Sequence, residues 1–154
     1  MKIKELLISI AISLGVGLLS TLITMNNQNI YDFINVPFFA PPGIVFPIVW
    51  TILYILMGIS LYRVRVAKGD KTKKESGYRA FSLQLIFNFL WSILFFNLKA
   101  YTFSAIWLAA FIIFIILTII YFINIDIVAA YLLVPYLVWC LFALYLNIGI
   151  AILN

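Results

Sequence analysis

Five apolar runs, each about as long as a bilayer's hydrocarbon core is thick, constrain this chain more than any other feature. They are Leu6 to Met25, Gly43 to about Arg63, Arg79 to Leu98, Tyr101 to Ile123 and Ile127 to Leu153. Some 20 helical residues cover roughly 30 Å of hydrocarbon at a rise of about 1.5 Å per residue. In lipid the backbone must satisfy its own hydrogen bonds, and within a single run of this length only a helix does so. Composition agrees, because 66% hydrophobic residues against 10% charged is more apolar surface than 154 residues hide in a soluble core. The chain reads as an all-α integral membrane protein, a single bundle of five transmembrane helices over residues 1–154. Its helices are placed near 5–25, 43–64, 78–98, 101–123 and 127–153, with a structured loop at 26–42.

Charge gives the orientation. Lys2 and Lys4 lie at the N-terminus, and Arg63, Arg65, Lys68, Lys71, Lys73, Lys74 and Arg79 lie at or within the second connection; all fall on one side, with only Lys99 on the other. Basic residues stay inside, so the N-terminus is expected inside, the C-terminus outside and the first connection outside. The first run is longer than a signal-peptide core and no small-residue cleavage site follows it, so it is expected to remain as a span. The second connection, Arg65 to Gly77, is expected to be a solvated loop without a site. In the first helix Ser9, Ser13, Gly17 and Thr21 recur every fourth residue, a row of small side chains that packs either inside the monomer or across a homodimer.

The stretch Pro37 to Tyr54, PFFAPPGIVFPIVWTILY, joins a proline-stiffened connection to an aromatic helix face. Pro37, Pro41 and Pro42 favour an extended lead-in, with Pro42 able to occupy the first helical turn. Phe46, Trp50, Tyr54 and Met57 then follow at helical spacing on one stripe. A connection of this length is uncommon unless it does something, which marks it as a lid or binding loop. Gln84, Asn88 and Trp91 share a face of the third helix, and Trp139, Ala143, Leu146 and Asn147 mark the fifth. Trp50 and Trp91 lie about 10 Å below the outer helix ends, and Trp139 near mid-span, too deep for a headgroup-level aromatic belt. They are expected to face the bundle interior. The amides are expected to make interhelical hydrogen bonds, to orient a ligand, or both.

Several chemistries find no residues. No histidine is present and Cys140 is the only cysteine, so no metal site is expected and no internal disulfide is possible. Asp32 and Asp126 should lie at opposite membrane faces, and neither a nucleophile paired with a base nor a chain of charges through the spans is visible. No nucleic-acid partner is expected. What remains is a cavity of aromatic rings and amides inside lipid, suited to a flat, largely apolar ligand.

Three segments, PFFAPPGIVFPIVWTILY, QLIFNFLW at Gln84 to Trp91 and AAYLLVPYLVWCLFALYLN at Ala129 to Asn147, resemble in order and spacing the TspO/MBR family of tryptophan-rich sensory and translocator proteins, also known as peripheral-type benzodiazepine receptors. With its short basic head the chain looks like a bacterial member, in a bacterial cell membrane. The resemblance implies a five-helix bundle that binds porphyrins such as protoporphyrin IX and isoquinoline carboxamide or benzodiazepine-type drugs. The family's pocket positions fall on Tyr31, Pro42, Trp50, Gln84, Asn88, Trp91, Trp139, Ala143 and Leu146, to which the aromatic stripe adds Phe46 and Tyr54. Light-dependent degradation of protoporphyrin, reported for some bacterial members, would fall to Trp50 and Trp139, with porphyrin as ligand or substrate and no further cofactor required. The vertebrate cholesterol-recognition segment has no counterpart in residues 148–154. A carrier for tetrapyrrole or lipid, and a membrane scaffold with an incidental cavity, are the competing readings.

Overall fold

The computed structural model describes residues 1–154 and holds helices only. They are α1 (Ile3–Thr24), α2 (Val45–Val66), α3 (Lys71–Ser92, prolonged by a π-helical turn Ile93–Asn97), α4 (Tyr101–Ile123), α5 (Ile127–Leu132) and α6 (Val134–Leu153). Taking α3 with its π turn, and α5 with α6, gives five segments long and apolar enough to cross a membrane. Around the bundle α1 packs on α2 and α3, α2 on α5, and α4 on α3, α5 and α6. The outer faces carry Leu7, Leu18, Leu22, Ile52, Ile106 and Ile113 exposed, a surface that only lipid would cover.

Three boundaries differ from the sequence reading. First, α3 starts at Lys71 rather than near residue 78, so most of the expected loop Arg65 to Gly77 is helix. Asp70 caps it, its side chain accepting from the Thr72 amide at 2.8 Å, and Lys74 Nζ donates back to the Arg65 and Ala67 carbonyls that end α2. Apolar periodicity marks only the part of a helix that meets lipid or core, so it is silent about polar turns that project beyond the membrane. Second, α2 begins at Val45, after turns in which the Val45 and Phe46 amides bond to the Pro42 and Gly43 carbonyls. Third, the last span breaks at Leu133. Pro135 has no N–H to give Tyr131, and the Leu133 amide turns to Ala130 in an i to i−3 bond of 3.1 Å.

The small-residue row of α1 faces the bundle as far as Gly17, then passes to Ser20 and Thr24, because a repeat of four outruns 3.6 residues per turn. Gly17 is required by close approach: a Cβ there would lie 2.5 Å from Tyr54 Cε2. At the end of the bundle that holds the N-terminus Glu5 pairs with Arg65 at 2.5 Å, and Arg63 pairs with Asp126, the N-cap of α5.

The interior is unevenly filled along the membrane normal. Met57, Val64, Phe81, Phe111, Ile115, Phe122, Leu133, Tyr136 and Cys140 pack into a closed core in the half that holds the N-terminus and the second connection. The other half, between the first loop and this core, is hollow.

Candidate functional site

The first loop is tied down as a roof. Gln28–Asp32 forms a 3₁₀ turn, the Tyr31 hydroxyl donates to the Pro41 carbonyl at 2.8 Å, and the Tyr145 hydroxyl donates to the Phe38 carbonyl at 2.6 Å. Asn35 and Asn154 exchange two hydrogen bonds, of 3.0 and 2.8 Å, and Asn27 donates to Asn97 at 2.9 Å. The loop is thus fastened to α3, to α6 and to itself. Phe39 sits at a positive φ of 68°, an uncommon conformation for a side chain of this size.

Beneath the roof lies a cavity of about 510 Å³. Its aromatic side is built by Tyr31, Phe46, Trp50, Tyr54, Trp91, Phe95 and Phe96. Trp50 packs against Tyr54 (centroids 5.7 Å apart) and Trp91 (6.5 Å), and Trp91 stacks on Phe95 at 5.4 Å. The π-helical turn, tighter in pitch and wider than α-helix, is where α3 presents both Phe95 and Phe96 to the cavity. Ala143, Leu146, Asn147 and Ile150 of α6 form another side, and Gly17, Ser20, Thr21 and Thr24 of α1 a third.

A buried polar chain forms the floor. The Tyr54 hydroxyl donates to Asn88 Oδ1 at 2.9 Å, Asn88 Nδ2 donates to the Tyr136 hydroxyl at 2.9 Å, and Tyr136 donates to Gln84 Oε1 at 2.6 Å. It links α2, α3 and α6 in one register. Trp91 Nε1 donates to Asn147 Oδ1 at 2.9 Å, and Asn147 Nδ2 donates to the Tyr101 carbonyl at 2.9 Å. These indole and amide groups are paired before any ligand arrives, so they arrive preorganised.

Of the residues singled out in the sequence, Tyr31, Phe46, Trp50, Tyr54, Asn88, Trp91, Ala143 and Leu146 line this one cavity. Three do not. Gln84 lies one turn deeper than Asn88, 1% exposed and bonded to Tyr136. Pro42 is exposed in the turn before α2, and Trp139 packs edge-on against Phe46 at 5.8 Å and against Phe142 at 5.6 Å. The Trp139 indole N–H is buried without a partner. Sequence reasoning missed Tyr136, the centre of the polar chain, although it lies seven residues before Ala143 on the same helical stripe. It also missed Phe96, which an ideal 3.6-residue repeat turns away from Trp91, and the α1 wall. Trp107 is separate from the site: it stacks on Phe87 at 4.2 Å and donates to the Phe87 carbonyl.

A hollow, aromatic-walled membrane bundle of five spans, roofed by a proline-rich loop, defines a class of small-molecule-binding membrane architecture rather than a soluble enzyme's cleft. Residues 9–153 match the TspO/MBR family, and the chain belongs to that family. It is 40% identical to the tryptophan-rich protein TspO of Archaeoglobus fulgidus over 156 aligned residues, covering 100% of this chain and 99% of the relative. It is 36% identical to the protein of the same name from Chlorobaculum tepidum, covering 99% and 98%. With the tryptophan-rich sensory protein of Cereibacter sphaeroides it shares 35% identity over 80% of this chain and 76% of the relative. Family and spans together make it a multi-pass membrane protein.

Proposed function

We propose that this protein binds a flat, largely apolar ligand in the roofed cavity, a porphyrin such as protoporphyrin IX first among them, with isoquinoline carboxamide or benzodiazepine-type drugs as smaller occupants. The observation that carries this reading is the wall of Trp50, Trp91, Phe95 and Phe96 around about 510 Å³, within the size range of ordinary ligand sites. A sensory role follows if occupancy alters how the roof or the bundle meets a partner, and the name of the Cereibacter relative is in keeping with it. The carrier reading has less support, because the cavity ends on the closed core around Met57, Phe111 and Tyr136, each 0% exposed.

Light-dependent breakdown of bound porphyrin is the chemical extension of this proposal. An excited porphyrin can take an electron from an adjacent indole, with dioxygen as the terminal oxidant. Trp50 stands in the cavity wall, whereas Trp139 stands behind Phe46, so the two tryptophans are not equivalent. In the test, protoporphyrin IX is titrated against tryptophan fluorescence in the dark and its absorbance is followed under light at saturation. Trp50→Phe should retain binding and lose most of the photobleaching, and Trp139→Phe should lose less. Failure of the wild type to bind removes the ligand reading; equal bleaching by all three proteins removes the enzymatic one and leaves the tryptophans as walls.

A further inference from the structure

The cavity is not electrically neutral. Asp32, at the end of the 3₁₀ turn, is the one charged residue among those lining it, and no lysine or arginine does so. Asp32 takes no part in either ion pair of the molecule, which join Arg63 to Asp126 and Arg65 to Glu5 at the opposite end of the bundle. Gly43 faces it, where even a Cβ would stand 3.8 Å from Asp32 Oδ1, so no side chain covers that approach. On the same side, deeper along α1, Ser20 is 6% exposed and its hydroxyl oxygen has no hydrogen-bond partner although it lines the cavity. A buried hydroxyl without a partner carries a desolvation penalty that a ligand atom can relieve. The wall of α1 and the loop is therefore polar, and acidic at its mouth, in a cavity otherwise walled largely by rings.

Granting that a flat aromatic ligand fills the cavity, we infer that the site sorts such ligands by the charge of the edge they turn toward α1. Asp32 accepts a cationic or neutral edge and repels a carboxylate, while Ser20 Oγ supplies a hydrogen bond further in. Aromatic faces sharing a cavity with a carboxylate also suit an amine-bearing ring system, since the rings attract a cation through their π faces. The Tyr31 phenol beside it is pushed up by burial and, secondarily, by the Asp32 charge, so the carboxylate's field reaches the cavity wall. A porphyrin dicarboxylate is held with its acid edge turned away from Asp32, which sets the orientation of the ring in the cavity.

The test uses three forms of one porphyrin in nanodiscs of neutral phosphatidylcholine, titrated in the dark: protoporphyrin IX, its dimethyl ester, and the bis-amide carrying trimethylammonium ends. Each is measured against wild type, Asp32→Asn and, as a control of equal charge change at the other membrane face, Glu75→Gln. Asp32→Asn should tighten the diacid about fivefold, weaken the cationic amide about fivefold and leave the ester within twofold, as expected for one charge at an exposed mouth where water and salt screen it. Glu75→Gln should change none of them. Ligands that respond alike to Asp32→Asn, or that respond equally to Glu75→Gln, overturn the charge sorting while the binding reading stands. If none of the three binds a protein that remains helical by circular dichroism, the binding reading fails and this inference fails with it.

Discussion

Tyr136 shows how one hydroxyl can decide whether a floor holds. Its oxygen accepts from Asn88 and donates to Gln84, both 1% exposed, so no water waits to replace it. Tyr136→Phe keeps the ring between Trp50 and Phe111 but strands one amide hydrogen and one amide oxygen in the core. The expected loss is about 1–3 kcal/mol, read as a lower unfolding midpoint in detergent. An unchanged midpoint would mean that the chain of hydrogen bonds contributes no net stability. The same residue marks a limit of sequence reading: amides and tryptophans in a span attract notice, while one tyrosine of nine in so aromatic a chain does not distinguish itself until its partners are known. Gln84 illustrates the converse, a polar residue noticed correctly that turns out to hold the floor rather than line the cavity.

Between elements, the end of the bundle opposite the cavity is fixed by a charged clasp. Asp126 caps α5 by accepting from the Ala129 amide at 3.0 Å, and Arg63 of α2 grips the same carboxylate with two nitrogens at 3.1 and 2.8 Å. Burial alone would raise the carboxyl's pKa; the Arg63 hydrogen bonds, the backbone amides and the Arg63 charge outweigh it and hold the group below the usual carboxylate range. Since the folded group titrates below the unfolded one, its stabilisation is fully present above the unfolded value of about 4 and disappears as pH falls through the lower folded value. Wild type should thus exceed Asp126→Asn in stability by a constant amount from pH 5 to 8, with the gap closing as pH drops below about 4; a gap that widens in acid would refute the assignment. Helix existence was legible at this scale, because five long apolar runs admit no other structure in lipid. Helix ends were not: the polar start of α3 rests on the Asp70 cap, and the break at Leu133 on a proline whose effect depends on what the freed carbonyl meets.

For the whole molecule, the asymmetry of basic residues and the asymmetry of packing run in the same direction. The closed half of the bundle lies with Arg63, Arg65 and the lysines of the second connection, and the hollow half lies under the first loop. We propose that the hollow half opens outward and the N-terminus lies inside. In a Cys140→Ala background, a thiol placed at Lys71 should be labelled by an impermeant reagent only from the inner side and one at Asn29 only from outside. The reversed pattern would invert the orientation, and labelling of both from one side would contradict the single span, α2, that separates them. By itself the sequence determined the solvent, the number of spans and the residue types of the site, because hydropathy, charge balance and helical spacing are local quantities summed along the chain. Only the tertiary structure decided which of those residues share a wall, that Trp139 stands behind Phe46, that Phe96 joins Trp91 through a π-helical turn, and that Asp32 meets the cavity without a counter-charge. Those outcomes depend on helix rotation and depth, which packing between distant segments sets and which no single segment encodes.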